Sequence, residues 1–210
     1  MNDIPINDSS FLIAGPAGSL ECIAAFSGDT EPQSLAVICH PHPQHGGSFQ
    51  NKVVYGIDKA LVKKGALSIR FNFRGVGSSE GEYDHGKGEV DDLLAVIARV
   101  RQAYPDLPLW LAGFSFGAYI AYQAHLIINT TQLLLVAPAV NLFDFVSLPA
   151  PKCSCLVIQG EEDEVINSQE VFAWAGQHGA ILTVRVPDTG HFFHKKINML
   201  QEIITNKMTD

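Results

Sequence analysis

No lysine or arginine occurs before Lys52, and only 14 are present in 210 residues against 22 acidic ones, a formal net charge of -8. This shortage of positive charge, with no cluster of basic residues interleaved with aromatics, works against attraction to a phosphate backbone, so nucleic acid is not an expected partner. The same gap removes the basic region of a secretion signal and the arginines of a transit peptide, which predicts a cytoplasmic protein. No apolar run reaches membrane-spanning length, so no membrane partner is expected. Cysteine is scarce: Cys22, Cys39, Cys153 and Cys155 are the four, and a reduced interior suits them better than a disulfide framework. Cys153 and Cys155 are separated by one residue, whereas zinc-binding pairs usually have two between them.

What is present is hydrophobic, at 47% of residues, while charged residues make up 17%. That balance, without internal repeats or low-complexity linkers, predicts one domain over residues 1–210. Short β-rich runs lie at Phe11–Ala14, Leu20–Phe26, Leu35–Cys39, Ala66–Phe73, Pro108–Ala112, Leu133–Ala137, Cys155–Gln159 and Ile181–Val186. The first two flank Gly15-Pro16-Ala17-Gly18 and predict an antiparallel hairpin. Five of the other six are almost wholly apolar, as strands buried on both faces must be. Helical periodicity fills the gaps at Gln50–Lys64, Gly88–Tyr104, Phe116–Ile128, Asn167–His178 and His191–Asn206. The predicted class is α/β, a mostly parallel sheet with helices on both faces and a leading antiparallel hairpin.

The sharpest local signal is Gly113-Phe114-Ser115-Phe116-Gly117, set between an apolar strand and the small-residue segment Ala118, Ala121, Ala124. A serine held on a tight strand-to-helix turn needs glycine on both sides, because neighbouring backbone must pass close by. Serine is a poor nucleophile at neutral pH, so it needs a base and a third group to orient that base. His191 follows the last strand after Pro187-Asp188-Thr189-Gly190 and is the candidate base. The acid is sought in Gly160-Glu161-Glu162-Asp163-Glu164-Val165. Asp163 is favoured because it lies just before a helix, where a short side chain can curl over the strand ends. Glu161, Glu162, Glu164 and Asp188 are less well placed, and Asp144, after the strand Leu133–Ala137, is the competitor.

An oxyanion needs two donors. One is the main-chain N–H of Phe116, at a helix N-terminus that favours negative charge. The other belongs to His40-Pro41-His42-Pro43-Gln44-His45-Gly46-Gly47-Ser48, where the prolines have no N–H, which leaves His42 first and Gln44 as fallback. The histidines of this loop, with His191 and His194, also invite a metal reading. No His-Glu-x-x-His helix accompanies them, and a metal site would leave the serine turn unexplained. Neither a metal nor another cofactor is called for.

Taken together, the His-Pro-His-Pro-x-x-Gly-Gly loop, Arg74-Gly75-Val76-Gly77-Ser78-Ser79, the serine turn, the Asp163 loop and Gly190-His191 resemble the α/β-hydrolase superfamily. The resemblance extends over nearly the whole chain and is nearest to small lidless bacterial serine hydrolases related to dienelactone hydrolases and esterases. It implies a triad of Ser115, Asp163 and His191, in that order along the chain. Dienelactone hydrolases typically carry cysteine where this chain has Ser115, which argues against dienelactone as substrate. Arg74 reads as a structural ion pair, and Asp84–Glu89 as either a helix cap or a site rim. Pro138–Lys152 is too short for a helical cap, so the expected site is open, shallow and suited to a small-molecule ester with a short acyl chain. The sequence leaves monomer and homodimer equally open.

Overall fold

The computed structural model describes residues 4–6, 9–28 and 31–208. Eight strands form one sheet in the spatial order β1-β2-β4-β3-β5-β6-β7-β8. They are β1 Ser10–Gly15, β2 Gly18–Ala25, β3 Ser34–Cys39, β4 Ala66–Phe71, β5 Leu109–Phe114, β6 Gln132–Val136, β7 Ser154–Gly160 and β8 Ile181–Val186. β1 and β2 pair antiparallel with Gly15 opposite Gly18, β2 pairs antiparallel with β4, and the remaining pairings are parallel. Every residue of β3, β4, β5 and β6 is buried. The last strand, β8, lies at the sheet edge, and all of its residues but Val186 are partly or fully exposed.

Helices α1 Lys52–Lys63 and α5 Ile197–Lys207 cover one face, while α2 Lys87–Ala103, α3 Phe116–Ile127 and α4 Ser168–Gly176 cover the other. The pleat divides each central strand between the two resulting cores. Leu35, Val37 and Cys39 of β3 join the α2/α3/α4 side, and Ala36 and Ile38 join the α1/α5 side. Burial on both faces is why these strands had to be apolar throughout. Between β6 and β7 the chain forms turns and no helix, so that connection places no cap over the carboxyl ends of the strands. Among the described residues no helix is long and apolar enough to cross a membrane. All four cysteines are free.

One expected element is displaced. Helical periodicity predicts a helix from His191, yet α5 begins at Ile197. Residues 191–196 instead make turns in which Phe193 and Lys195 have φ of 50° and 60°. Phe193 is fully buried in the α1/α5 core, and the His191 N–H is drawn onto the Glu164 carboxylate at 3.0 Å. Tertiary burial and that hydrogen bond outweigh the local helical pattern.

Candidate active site

β5 ends at Phe114 and α3 starts at Phe116, which leaves Ser115 alone at the junction with φ 56° and ψ −115°. A non-glycine residue holds such a conformation only when its surroundings impose it. Here Ser115 N–H donates to Val136 O at 2.9 Å, tying the turn to the neighbouring strand. The two glycines allow the close approach. A Cβ on Gly113 would lie 2.1 Å from Gly117 O, and one on Gly117 would lie 2.3 Å from Cys39 O and 2.5 Å from His40 O. Ser115 stands at the N-cap of α3 without capping it through its side chain, because the hydroxyl is engaged elsewhere.

That engagement is with His191, whose Nε2 lies 3.1 Å from Ser115 Oγ. The Nδ1 of the same ring lies 2.8 Å from Asp163 Oδ2. The carboxylate is itself immobilised: Oδ1 accepts from Val165 N at 2.9 Å and Ile166 N at 2.7 Å, and Oδ2 accepts from Gln159 Nε2 at 2.9 Å. Burial pushes the Asp163 carboxyl upward, but the His191 hydrogen bond, the Ile166 and Val165 N–H groups and the His191 charge together hold it below the ordinary carboxylate value. Because an ionised carboxylate only accepts, the neutral imidazole carries its proton on Nδ1 and offers a bare Nε2 to the serine hydroxyl. Phe114 and Phe192 flank the ring at centroid distances of 4.9 and 5.0 Å.

The competing acid is elsewhere. Asp144 lies on the loop after β6, where its carboxylate accepts from Ser147 N at 3.0 Å and Ser147 Oγ at 2.5 Å. Glu164, ranked below Asp163 in the sequence, has a different function at the same place, since its carboxylate accepts the main-chain N–H of His191. The loops carrying acid and base are zipped by two further bonds, Glu161 N to Val186 O and Glu162 N to Thr189 O, each 3.0 Å. A Cβ on Gly160 would lie 2.2 Å from Thr189 O, which is the local signal for this close passage.

The loop after β3 lies beside the serine. His42 lines the same cavity as Ser115, Phe116 and His191, and its ring is 5.1 Å from that of Phe116. Gln44, the fallback donor, spends its main-chain N–H on His42 Nδ1 at 3.2 Å and faces a different cavity. His40 is a structural bridge: Nδ1 lies 2.6 Å from Pro41 O, and Nε2 accepts from Phe73 N at 3.1 Å. Farther along, Phe49 is clamped by Asn72 Oδ1 on its N–H at 2.9 Å and by Arg70 Nη1 on its carbonyl at 3.0 Å.

Two remaining motifs are structural supports. Arg74 meets Asp92 through Nε, Nη2 and its own main-chain N–H at 2.8 to 3.0 Å, an ion pair as expected. In Asp84–Glu89 the Glu89 carboxylate accepts from Asp84 N at 2.8 Å and Gly86 N at 2.7 Å, so this segment is a helix cap for α2. Among the described residues no group of three His, Cys, Asp or Glu side chains gathers as metal ligands would.

The cavity above Ser115 encloses about 500 Å³. Its walls are mostly apolar, from Ala139, Leu142, Phe143, Val165 and Phe192, with His45 and Asn51 on the β3-loop side. Leu142, Val165 and Phe192 are 60%, 44% and 40% exposed, so the mouth is open.

A family model described as serine aminopeptidase, S33, matches residues 30–154. An alpha-beta serine hydrolase homologue from Coxiella burnetii is 40% identical, with a TM-score of 0.95 over 99% of this chain and 100% of that one. A lidless a/b serine hydrolase from Xanthomonas campestris is 38% identical, with a TM-score of 0.92 over 99% of each chain. A monoacylglycerol lipase of Mycolicibacterium smegmatis is 27% identical over 66% of this chain, which spans half of that protein's length.

Proposed function

The chain belongs to the α/β-hydrolase family described as serine aminopeptidase, S33, and from that membership as a serine hydrolase we propose that it cleaves carboxylic esters through an acyl-enzyme on Ser115. The observation that carries this reading is the continuous chain of contacts from Ser115 Oγ through both nitrogens of His191 to Asp163. Ser115 Oγ attacks the ester carbonyl as His191 Nε2 takes its proton, and the imidazolium is stabilised by the Asp163 carboxylate. The carbonyl oxygen becomes an oxyanion, held by the main-chain N–H groups of Phe116 and His42. His191 then hands the proton to the departing alkoxide, leaving an acyl group on Ser115. Water repeats the sequence: His191 takes its proton, hydroxide adds to the acyl carbonyl, and Ser115 leaves as the alcohol with that proton.

The open mouth and apolar walls favour a short acyl chain, or a small ester group on a larger body that remains outside. One relative is named a monoacylglycerol lipase, and a monoacylglycerol is a carboxylic ester. A fluorophosphonate probe tests the reading: the wild type should be labelled at Ser115, and the Ser115→Ala protein should not. A panel of short esters, thioesters and aminoacyl amides then selects the bond. Failure to label the wild type would mean a non-catalytic binding protein on this fold, and rates that climb with acyl length beyond about eight carbons would contradict the shallow site.

A further inference from the structure

We propose that Tyr83 is a positioning residue for this acyl-transfer site: its hydroxyl oxygen anchors the His42 imidazole by accepting from Nε2–H and thereby holds the loop after β3 with the His42 main-chain N–H directed to the oxyanion. The proposal rests on the Ser115 reading above and adds a residue outside the triad that never touches the substrate.

The tautomer follows from donor and acceptor arithmetic. Gln44 N–H lies 3.2 Å from His42 Nδ1, and a main-chain N–H can only donate. Nδ1 is therefore bare, and a neutral imidazole then carries its proton on Nε2. Nε2 lies 3.2 Å from Tyr83 Oη, so the tyrosine oxygen is the acceptor. The ring is gripped from two directions, once by its own loop and once by a residue 41 positions away in sequence. Between those grips it is wedged 5.1 Å from Phe116, whose N–H is the other proposed donor, and 4.6 Å from His45. The His42 carbonyl is fixed as well, accepting from His45 N and Gly47 N at 3.1 Å each. With ring and carbonyl held, and proline on either side, few degrees of freedom remain for the His42 N–H.

Tyr83 is itself well supported. The residue after it, Asp84, donates its N–H to the fully buried Glu89 carboxylate, and Gly75 N meets Glu80 O at 3.3 Å where the two loops cross. Protonating His42 would undo the arrangement, because Nδ1–H would then face Gln44 N–H, donor against donor. The titratable groups around the ring are Tyr83, His45, the buried His40 and, beyond Tyr83, His85, while Phe116 and Phe143 on the remaining sides are uncharged. Burial first, then His45 and His85, hold the His42 pKa below its ordinary value, which keeps the neutral form dominant.

Long-range ¹H–¹⁵N spectra of the histidine rings in the full chain read the tautomer directly. Above pH 7 the wild type should show His42 protonated at Nε2 and bare at Nδ1. The Tyr83→Phe protein, which lacks one oxygen, should keep the Nε2 proton that the Gln44 N–H dictates but show a shifted, faster-exchanging Nε2–H now that its acceptor is gone, with kcat on p-nitrophenyl acetate down about tenfold and KM unchanged, because a displaced donor weakens only the transition state. A wild-type His42 protonated at Nδ1 overturns the proposal without any variant, and so does a Tyr83→Phe enzyme with kcat within twofold of wild type. Wild-type Ser115 that is inert to fluorophosphonate removes the underlying reading, and the proposal with it, before any variant is compared.

Discussion

Acidifying the protein from neutral pH toward pH 4 should cost it about 3 kcal/mol of stability through His40 alone. The ring is fully buried. Because Phe73 N–H points at Nε2, that nitrogen must be bare and the proton sits on Nδ1, donating to Pro41 O. A second proton would have to enter at Nε2, against an N–H donor and away from water. Burial is the main reason the pKa falls from 6.5 to about 4; the Pro41 carbonyl pulls the other way and His42 adds to the lowering. The folded value is therefore below the unfolded one. Between about pH 4 and 6.5 the unfolded chain holds the extra proton and the folded chain does not, so stability rises with pH through that window and is complete above it. At about 1.4 kcal/mol per pH unit the whole gap is worth about 3 to 4 kcal/mol, of which about 3 is lost by pH 4, where the folded ring is half protonated. Urea unfolding of wild type and His40→Gln from pH 4.5 to 8 measures it, since a glutamine side chain can donate and accept but does not titrate in this range. The deficit of the variant at neutral pH should shrink by about 3 kcal/mol on extrapolation to pH 4. The His125 ring, also lowered by burial, is present in both proteins and cancels in the difference. A deficit that stays constant across the range would refute the buried neutral imidazole.

The two candidate acids separate cleanly by mutation. Asp163→Asn should lower kcat by about 10⁴-fold, less than the roughly 10⁶-fold loss for Ser115→Ala or His191→Ala, because the carboxylate orients and stabilises the base without reacting itself. Asp144→Asn should leave kcat within about twofold, as its carboxylate is committed to Ser147; the reverse ranking in steady-state assays would exchange their assignments. Glu164→Ala removes the acceptor of the His191 N–H and should lower kcat by about tenfold with KM unchanged, as expected when a catalytic group is slightly misplaced. Glu164→Gln, whose amide oxygen can still accept, should recover most of that loss, and an equal defect in both variants would show that the hydrogen bond is not the cause.

How far the site could be read along the chain depended on the range of the physics involved. The glycines around Ser115 are a local demand of a tight turn, so the motif announces itself in five residues, and the order of the proposed nucleophile, acid and base follows the order of the strands. Arg74 could be assigned to an ion pair, though not to its partner Asp92 in α2. Asp163 and Asp144 each follow a strand, and sequence distance cannot tell which carboxylate reaches His191. Glu164, Tyr83 and His40 act through contacts with residues 27, 41 and 33 positions away, and no local pattern marks them.

The division between the two levels is one of energy as well as distance. Apolar runs at strand spacing and periodic helices specify an α/β sheet, because burial on both faces depends only on which residues are hydrophobic. The carboxyl end of that sheet is different. There the chain gives up helical conformation at 191–196 to bury Phe193 and to place the His191 N–H on Glu164. It also spends the Gln44 N–H on His42 Nδ1 and thereby settles which nitrogen of that ring is bare. Such choices are made by hydrogen-bond partners that meet only after folding, since a buried donor or acceptor must be satisfied by whatever the tertiary structure brings to it.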